Sequence, residues 1–303
     1  MANHPTTAVV VGIIVALVFL HRASASTFTL INSCDYTVWP GILAGAGTSP
    51  LSTTGFELSA GESRAVDAPE GWSGRLWGRT LCTFDADGHG KCATGDCGGS
   101  LECKGNNAAP PATLAEFTLG KDTLPDFYDV SLVDGYNLPM IVAAKGGTGT
   151  CSTTGCVTDL NLSCPKELQV DTDGTSSVAC KSACEAFQSP EYCCSGAYGN
   201  PNTCRPSSYS VVFKAACPKA YSYAYDDATS TFTCTAADYV ITFCPTVTSQ
   251  KKSDDPSNSV VNGTDTWGIS TFASTNQAVA ATSYRALFAP LSLGLLGVWL
   301  LMQ

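Results

Sequence analysis

The sequence has 303 residues, with 16 Lys and Arg against 26 Asp and Glu, a formal net charge of −10. That acidity argues against nucleic acid and against an anionic membrane surface as partners, since both attract positive charge. Sixteen cysteines accompany only three histidines, His4, His21 and His89, a poor stock for a histidine triad or a multi-histidine metal site.

Residues 1–25 read as a secretory leader. An apolar run over 8–20 is followed by Ala23-Ser24-Ala25, the small residues of a cleavage site. The run is too short for a membrane span. Every cysteine lies between Cys34 and Cys244. An even count behind a leader predicts eight disulfides made in an oxidising compartment. Cys193 and Cys194 are adjacent, with Cα atoms about 3.8 Å apart, so they are expected to take different partners. Oxidised cysteines do not hold zinc, and no metal or other cofactor is expected.

Short β-rich runs follow at 27–31, 36–40, 75–80, 114–119, 127–133, 208–213 and 239–243. Turn pairs such as Asp87-Gly88, Gly98-Gly99, Asp134-Gly135 and Gly146-Gly147 separate them. The pattern predicts an all-β sandwich or barrel. In 114–119, Ala115, Phe117 and Leu119 share one face, and Glu116 and Thr118 the other. In 127–133, Tyr128, Val130 and Leu132 oppose Phe127, Asp129, Ser131 and Val133. Two strands can thus lay an apolar face on a core and present Glu116 and Asp129 on the other side. Carboxylates converging in a groove bind sugars or cations, or exchange protons. Asp85-Ala86-Asp87-Gly88 echoes the start of a calcium loop, but no later ligands complete it. One helix is predicted over 176–188, with Cys180 and Cys184 on one face, ended by Ser189-Pro190. Nine cysteines lie between Cys151 and Cys217, which predicts a loop-rich second lobe stapled by disulfides.

The polar stretch 245–276 lacks core periodicity and reads as a linker or stalk. The small residues 273–276 at its end, a polar spacer and an apolar terminus over 286–303 form the pattern of a glycolipid (GPI) anchor signal. The expected division is a leader at 1–25, a domain at 26–247, a linker at 248–276 and a removable anchor signal at 277–303. Loss of both ends takes away Arg22 and Arg285 but no acid, leaving a mature chain that suits a neutral polysaccharide or a basic partner. Asn161 and Asn262 open glycosylation sequons.

The stretch GHGKCATGDCGGSLEC at 88–103 resembles the signature of thaumatin-like proteins, a pathogenesis-related family of plants, here of a GPI-anchored type. The resemblance extends over 26–245 through TFTLINSC, PATLAEFTL, DFYDVSLVDGYNLPM, SPEYCC and ITFCP. It implies the pairs Cys34–Cys244, Cys82–Cys92, Cys97–Cys103, Cys151–Cys234, Cys156–Cys217, Cys164–Cys180, Cys184–Cys193 and Cys194–Cys204. The implied fold is a β-sandwich with a helical disulfide-rich lobe and a small disulfide-rich lobe. A cleft between sandwich and helical lobe would be lined by an arginine, Glu116, Asp129, Asp134 and Asp226. The arginine's position falls on Ala109, with Arg79 or Arg205 as substitutes. Tyr128, Tyr136, Tyr223 and Tyr225 are candidates for stacking on sugar rings. The implied function is a secreted, surface-anchored monomer that binds β-1,3-glucan or a related cell-wall polysaccharide in defence against fungi. It would stand on the outer face of the plasma membrane or in the cell wall, touching membrane only through its lipid anchor. The alternatives are a weak endo-β-1,3-glucanase, with Glu116 as acid and Asp129 as base or nucleophile, and a surface module that binds a cell-surface protein.

Overall fold

The structure is a computed structural model that describes residues 26–246 other than 173, 175 and 176. The expected leader, linker, anchor signal and Asn262 lie outside the described residues. The strands, in chain order, are β1 Ser26–Asn32, β2 Trp39–Ala44, β3 Ser63–Ala68, β4 Ser73–Phe84, β5 Gly90–Thr94, β6 Leu114–Thr118 and β7 Asp126–Ser131. They continue with β8 Met140–Lys145, β9 Thr154–Cys156, β10 Gln169–Asp171, β11 Ser177–Cys180, β12 Phe232–Cys234 and β13 Asp238–Phe243.

Two sheets face each other. One runs β3-β1-β13-β8-β9, and the other β12-β7-β6-β4-β2 with β5 added to β4. Alternation explains why they pack. Phe28 and Tyr239 point inward from the first sheet, and Phe117 and Tyr128 from the second. Ring centroids are 4.6 Å apart for Phe28–Phe117, 5.1 Å for Phe117–Tyr239 and 5.0 Å for Tyr128–Tyr239. The Tyr239 hydroxyl donates to Asp126 at 2.7 Å and the Tyr128 hydroxyl to the Ser152 carbonyl at 2.6 Å, so the polar ends of these buried rings are matched. Tyr128 is therefore a core residue, not a cleft residue. Tyr136 is likewise buried, with its hydroxyl donating to the Thr158 carbonyl.

The outer face of β4 is covered unevenly, and this shapes the site. Trp77 and Arg79 are fully buried there, with Trp77 packed against Cys97, Cys103 and Ala108 of the small disulfide lobe. Arg79 donates to the carbonyls of Trp39, Pro40, Ser100 and Leu101. Two positions before Trp77, the covering stops and Arg75 is open.

The second lobe departs from the sequence reading in two places. Residues 176–188 are not one helix. Ser177–Cys180 is strand β11, paired with β10, and Tyr136 and Cys180 exchange backbone hydrogen bonds of 2.8 and 2.7 Å. The helix is only Ala183–Phe187, opened by Ser182, whose side chain accepts from the Glu185 N–H. Residues 208–213, read as a strand, are instead the start of the helix Ser208–Ala216, capped by Ser207. Ser210 and Phe213 are buried while Val211 and Val212 are exposed, the three-residue spacing of a helix rather than the alternation of a strand.

The sixteen cysteines form eight disulfides: Cys34–Cys244, Cys82–Cys92, Cys97–Cys103, Cys151–Cys234, Cys156–Cys217, Cys164–Cys180, Cys184–Cys193 and Cys194–Cys204. The Asp85 carboxylate accepts from the N–H groups of Asp87 and His89, so the calcium-loop echo is a self-bonded turn.

Candidate functional site: an acidic groove

Three neighbouring strands put three side chains in one row. Arg75 of β4 lies opposite Glu116 of β6, and Glu116 lies opposite Asp129 of β7. Directly opposed residues have Cβ atoms about 4.5–5.5 Å apart. Because Ala115, Phe117, Tyr128 and Val130 face the core, the row must face outward. The Arg75 Nη2 lies 3.3 Å from Glu116 Oε1, and its Nη1 lies 4.0 Å from Asp134 Oδ2. Asp134 reaches the row from the turn after β7. That turn requires Gly135, at φ 88°, since an added Cβ would meet Pro111 at 2.7 Å and the Cys180 carbonyl oxygen at 2.8 Å.

The groove has a volume of about 440 Å³, and Tyr221 and Asp227 form its far wall. The Tyr221 hydroxyl donates to Asp227 at 3.0 Å. A neighbouring hollow of about 410 Å³ shares Arg75, Glu116 and Asp129 and adds the half-exposed ring of Phe127. Burial pushes the Asp129 carboxyl up to about 8, with Glu116 and Asp227 adding to the rise and Arg75 opposing it. Its Oδ2 is buried and has no hydrogen-bond partner. Burial also raises Glu116, while Arg75 holds it back. At neutral pH the row offers a protonated acid beside an arginine-paired one.

The expected set is corrected in three ways. The arginine of the groove is Arg75, so Ala109 marks no loss. Arg79 is buried under the small lobe, and Arg205 is an exposed residue beside Tyr223. Asp226 turns away. Its carboxylate pairs with Lys214 at 2.9 Å and accepts from Ser222 and Thr229, and the next residue, Asp227, enters the groove instead. Tyr223 lines an adjoining cavity rather than this one, and Tyr225 is half-buried. Asn161 donates its side-chain amide to the carbonyls of Asn137 and Val178. Arg75 was the residue sequence reasoning missed. Its only signal was a position next to the core-facing Leu76, and the partner across the sheet depends on register.

Residues 32–245 match the Thaumatin family. The chain belongs to the thaumatin family. Among thaumatin-family relatives, it is 62% identical over 224 residues to "Pathogenesis-related thaumatin-like protein 3.5" of Cryptomeria japonica, covering 74% of this chain and 92% of that protein. It is 60% identical over 221 residues to "Pathogenesis-related protein 5" of Arabidopsis thaliana, covering 73% and 91%. The thaumatin fold also superposes on a laminaripentaose-producing β-1,3-glucanase solved with laminaritetraose. There the TM-score is 0.51 at 11% identity, over 72% of this chain and 98% of the other, a likeness of fold alone. Both relatives are named as pathogenesis-related proteins. No helix among the described residues is long and apolar enough to cross a membrane.

Proposed function

We propose that this thaumatin-like protein is secreted, binds β-1,3-glucan in the acidic groove, and serves in defence against fungi. The observation that carries the reading is the row Arg75, Glu116, Asp129 on an open sheet face. A neutral polyol donates and accepts hydrogen bonds at every hydroxyl. A protonated Asp129 donates, an arginine-paired Glu116 accepts, and Arg75 donates again, a mixed set that suits such a ligand better than a cation or an anion. In this reading residues 1–25 are removed, 26–247 form the binding domain, and 277–303 are exchanged for a glycolipid that holds the protein at the outer cell surface by the stalk 248–276. Release from cells by a phosphatidylinositol-specific phospholipase tests the anchor.

Retention on insoluble β-1,3-glucan tests the groove. The double variant Glu116→Ala/Asp129→Ala is expected to elute well ahead of the wild type, and equal retention removes the groove from the account. Weak hydrolysis is the second reading, favoured by the split between the two acids. The higher-titrating Asp129 would then be the proton donor and Glu116 the base or nucleophile, the reverse of the sequence expectation. Sugar release from laminarin in the same tube separates the two readings.

A further inference from the structure

Beyond Asp134 lies a cavity of about 350 Å³, near the lower end of the range for small-ligand sites, about 300–1,000 Å³. Its walls hold three tyrosines, Tyr192, Tyr209 and Tyr223, and two charged side chains, Asp134 and Glu185, both acidic. Tyr192, Tyr209 and Phe187 brace one another, with ring centroids 5.6 Å apart for Phe187–Tyr192, 5.3 Å for Phe187–Tyr209 and 6.0 Å for Tyr192–Tyr209. The Tyr209 hydroxyl donates to Glu167 at 2.9 Å, so the rings are set in place. Phe187 stays 42% exposed beside them, apolar surface of the kind that a protein interface covers.

The two acids are short of counter-charge. Glu185 forms no ion pair among the described residues, and its Oε2 is buried without a hydrogen-bond partner, a costly state for a carboxyl group. Burial pushes Glu185 up to about 7, against the pull of Lys181 and with a push from Asp134. Lys181, and Arg205 near Tyr223, act from outside the cavity walls. Asp134 meets only the edge of Arg75, at 4.0 Å.

We propose that this cavity is a cation pocket that takes the ammonium or guanidinium end of a lysine or arginine side chain from a protein partner. The stem lies against Tyr192 and Tyr209, and the charge faces Glu185 and Asp134. Such a side chain joins an apolar stem to a cationic head, which matches aromatic walls carrying two acids, and the ring faces themselves attract the cation. A neutral alcohol leaves the charge of Glu185 uncompensated. An anion is repelled by both acids. The net charge of −10 draws a basic partner in. The inference stands apart from the glucan reading, which concerns the Arg75–Glu116–Asp129 row.

Titration of the purified protein with N-acetyl-lysine methylamide and N-acetyl-arginine methylamide, followed by nuclear magnetic resonance, tests this. N-acetyl-norleucine methylamide, which keeps the stem and lacks the charge, is the control, and 1,5-diaminopentane stands for a free amine. Both cationic analogues are expected to bind roughly tenfold more tightly than the control near pH 8.5 and to lose most of that margin near pH 5.5, where Glu185 is protonated. Glu185→Gln is expected to remove the margin and flatten the pH profile. Tyr192→Ala is expected to weaken both analogues several-fold and Tyr192→Phe to bind as the wild type does. Glu57→Gln, the same charge change on an exposed residue outside the cavity, is expected to leave the affinity unchanged. Equal binding of the uncharged control, a flat wild-type pH profile, or full affinity in Glu185→Gln each overturns the pocket, as does a wild type that binds neither analogue. Binding of 1,5-diaminopentane alone overturns a protein side chain as the occupant. None of these outcomes bears on glucan retention, so the two readings fail separately.

Discussion

Asp129 sits half-buried, where water solvates its charge poorly and where Glu116 and Asp227 repel it. Its carboxyl is raised to about 8 in the fold, far above the ordinary range of about 4 in an unfolded chain. A raised acid stabilises the fold fully below its unfolded value, and that contribution fades as pH climbs through the folded value. Asp129→Asn keeps the neutral shape at every pH. Its melting temperature is therefore expected to match or trail the wild type near pH 4 and to exceed it by several degrees near pH 9. Parallel melting curves for the two proteins across that span would remove Asp129 from the list of strained acids. At this scale the sequence was partly legible. Glu116 and Asp129 stood out because each interrupts an apolar alternation. Asp226 was named where Asp227 belongs, because the choice depends on Lys214, which takes one carboxylate and leaves the other for the groove. Arg75 could not be seen at all without knowing that its strand lies beside β6.

Elements were legible where burial follows a simple period. The strands β1, β6, β7 and β13 alternate cleanly and were placed from the sequence to within a residue or two. The helix Ser208–Ala216 was hidden because Tyr209, Val211, Val212 and Phe213 are all residues that favour strands. What decides for helix is local: Ser207 accepts from the Ser210 N–H at 3.1 Å and closes the first turn. Ser207→Ala is expected to cost about 1 kcal/mol, read as a lower denaturant midpoint with unchanged slope; no shift would mean that packing of Phe213 alone holds the helix. The reverse error at 176–188 has a tertiary cause. Cys180 exchanges backbone bonds with Tyr136, lies opposite Gln169 in the β10–β11 pair and is tied by its disulfide to Cys164, and this draws its segment out as a strand.

For the molecule as a whole, fold class came from the spacing of short runs, and disulfide pairing came only from family resemblance. Cysteine count alone could not have chosen among the possible networks. Cys34–Cys244 spans 210 residues and ties β1 to the end of β13. In the chain-entropy picture such a closure contributes at most about 5 kcal/mol, less here because Cys151–Cys234 already shortens the free loop. The paired variant Cys34→Ala/Cys244→Ala is expected to melt well below the wild type while keeping its groove geometry and its glucan retention. Undiminished thermal stability would show that the strand pairing needs no such clamp.

The first and last strands of the domain lie side by side and parallel, with β13 inserted between β1 and β8. During vectorial synthesis the middle of this sheet therefore stays missing until nearly all of the domain has emerged. Until then β1 and β8 each offer a bare edge, and such edges invite pairing with other chains. A nascent polypeptide halted anywhere before Asp238 has no native way to cover them. Products terminated before Asp238 are therefore expected to self-associate through those uncovered edges.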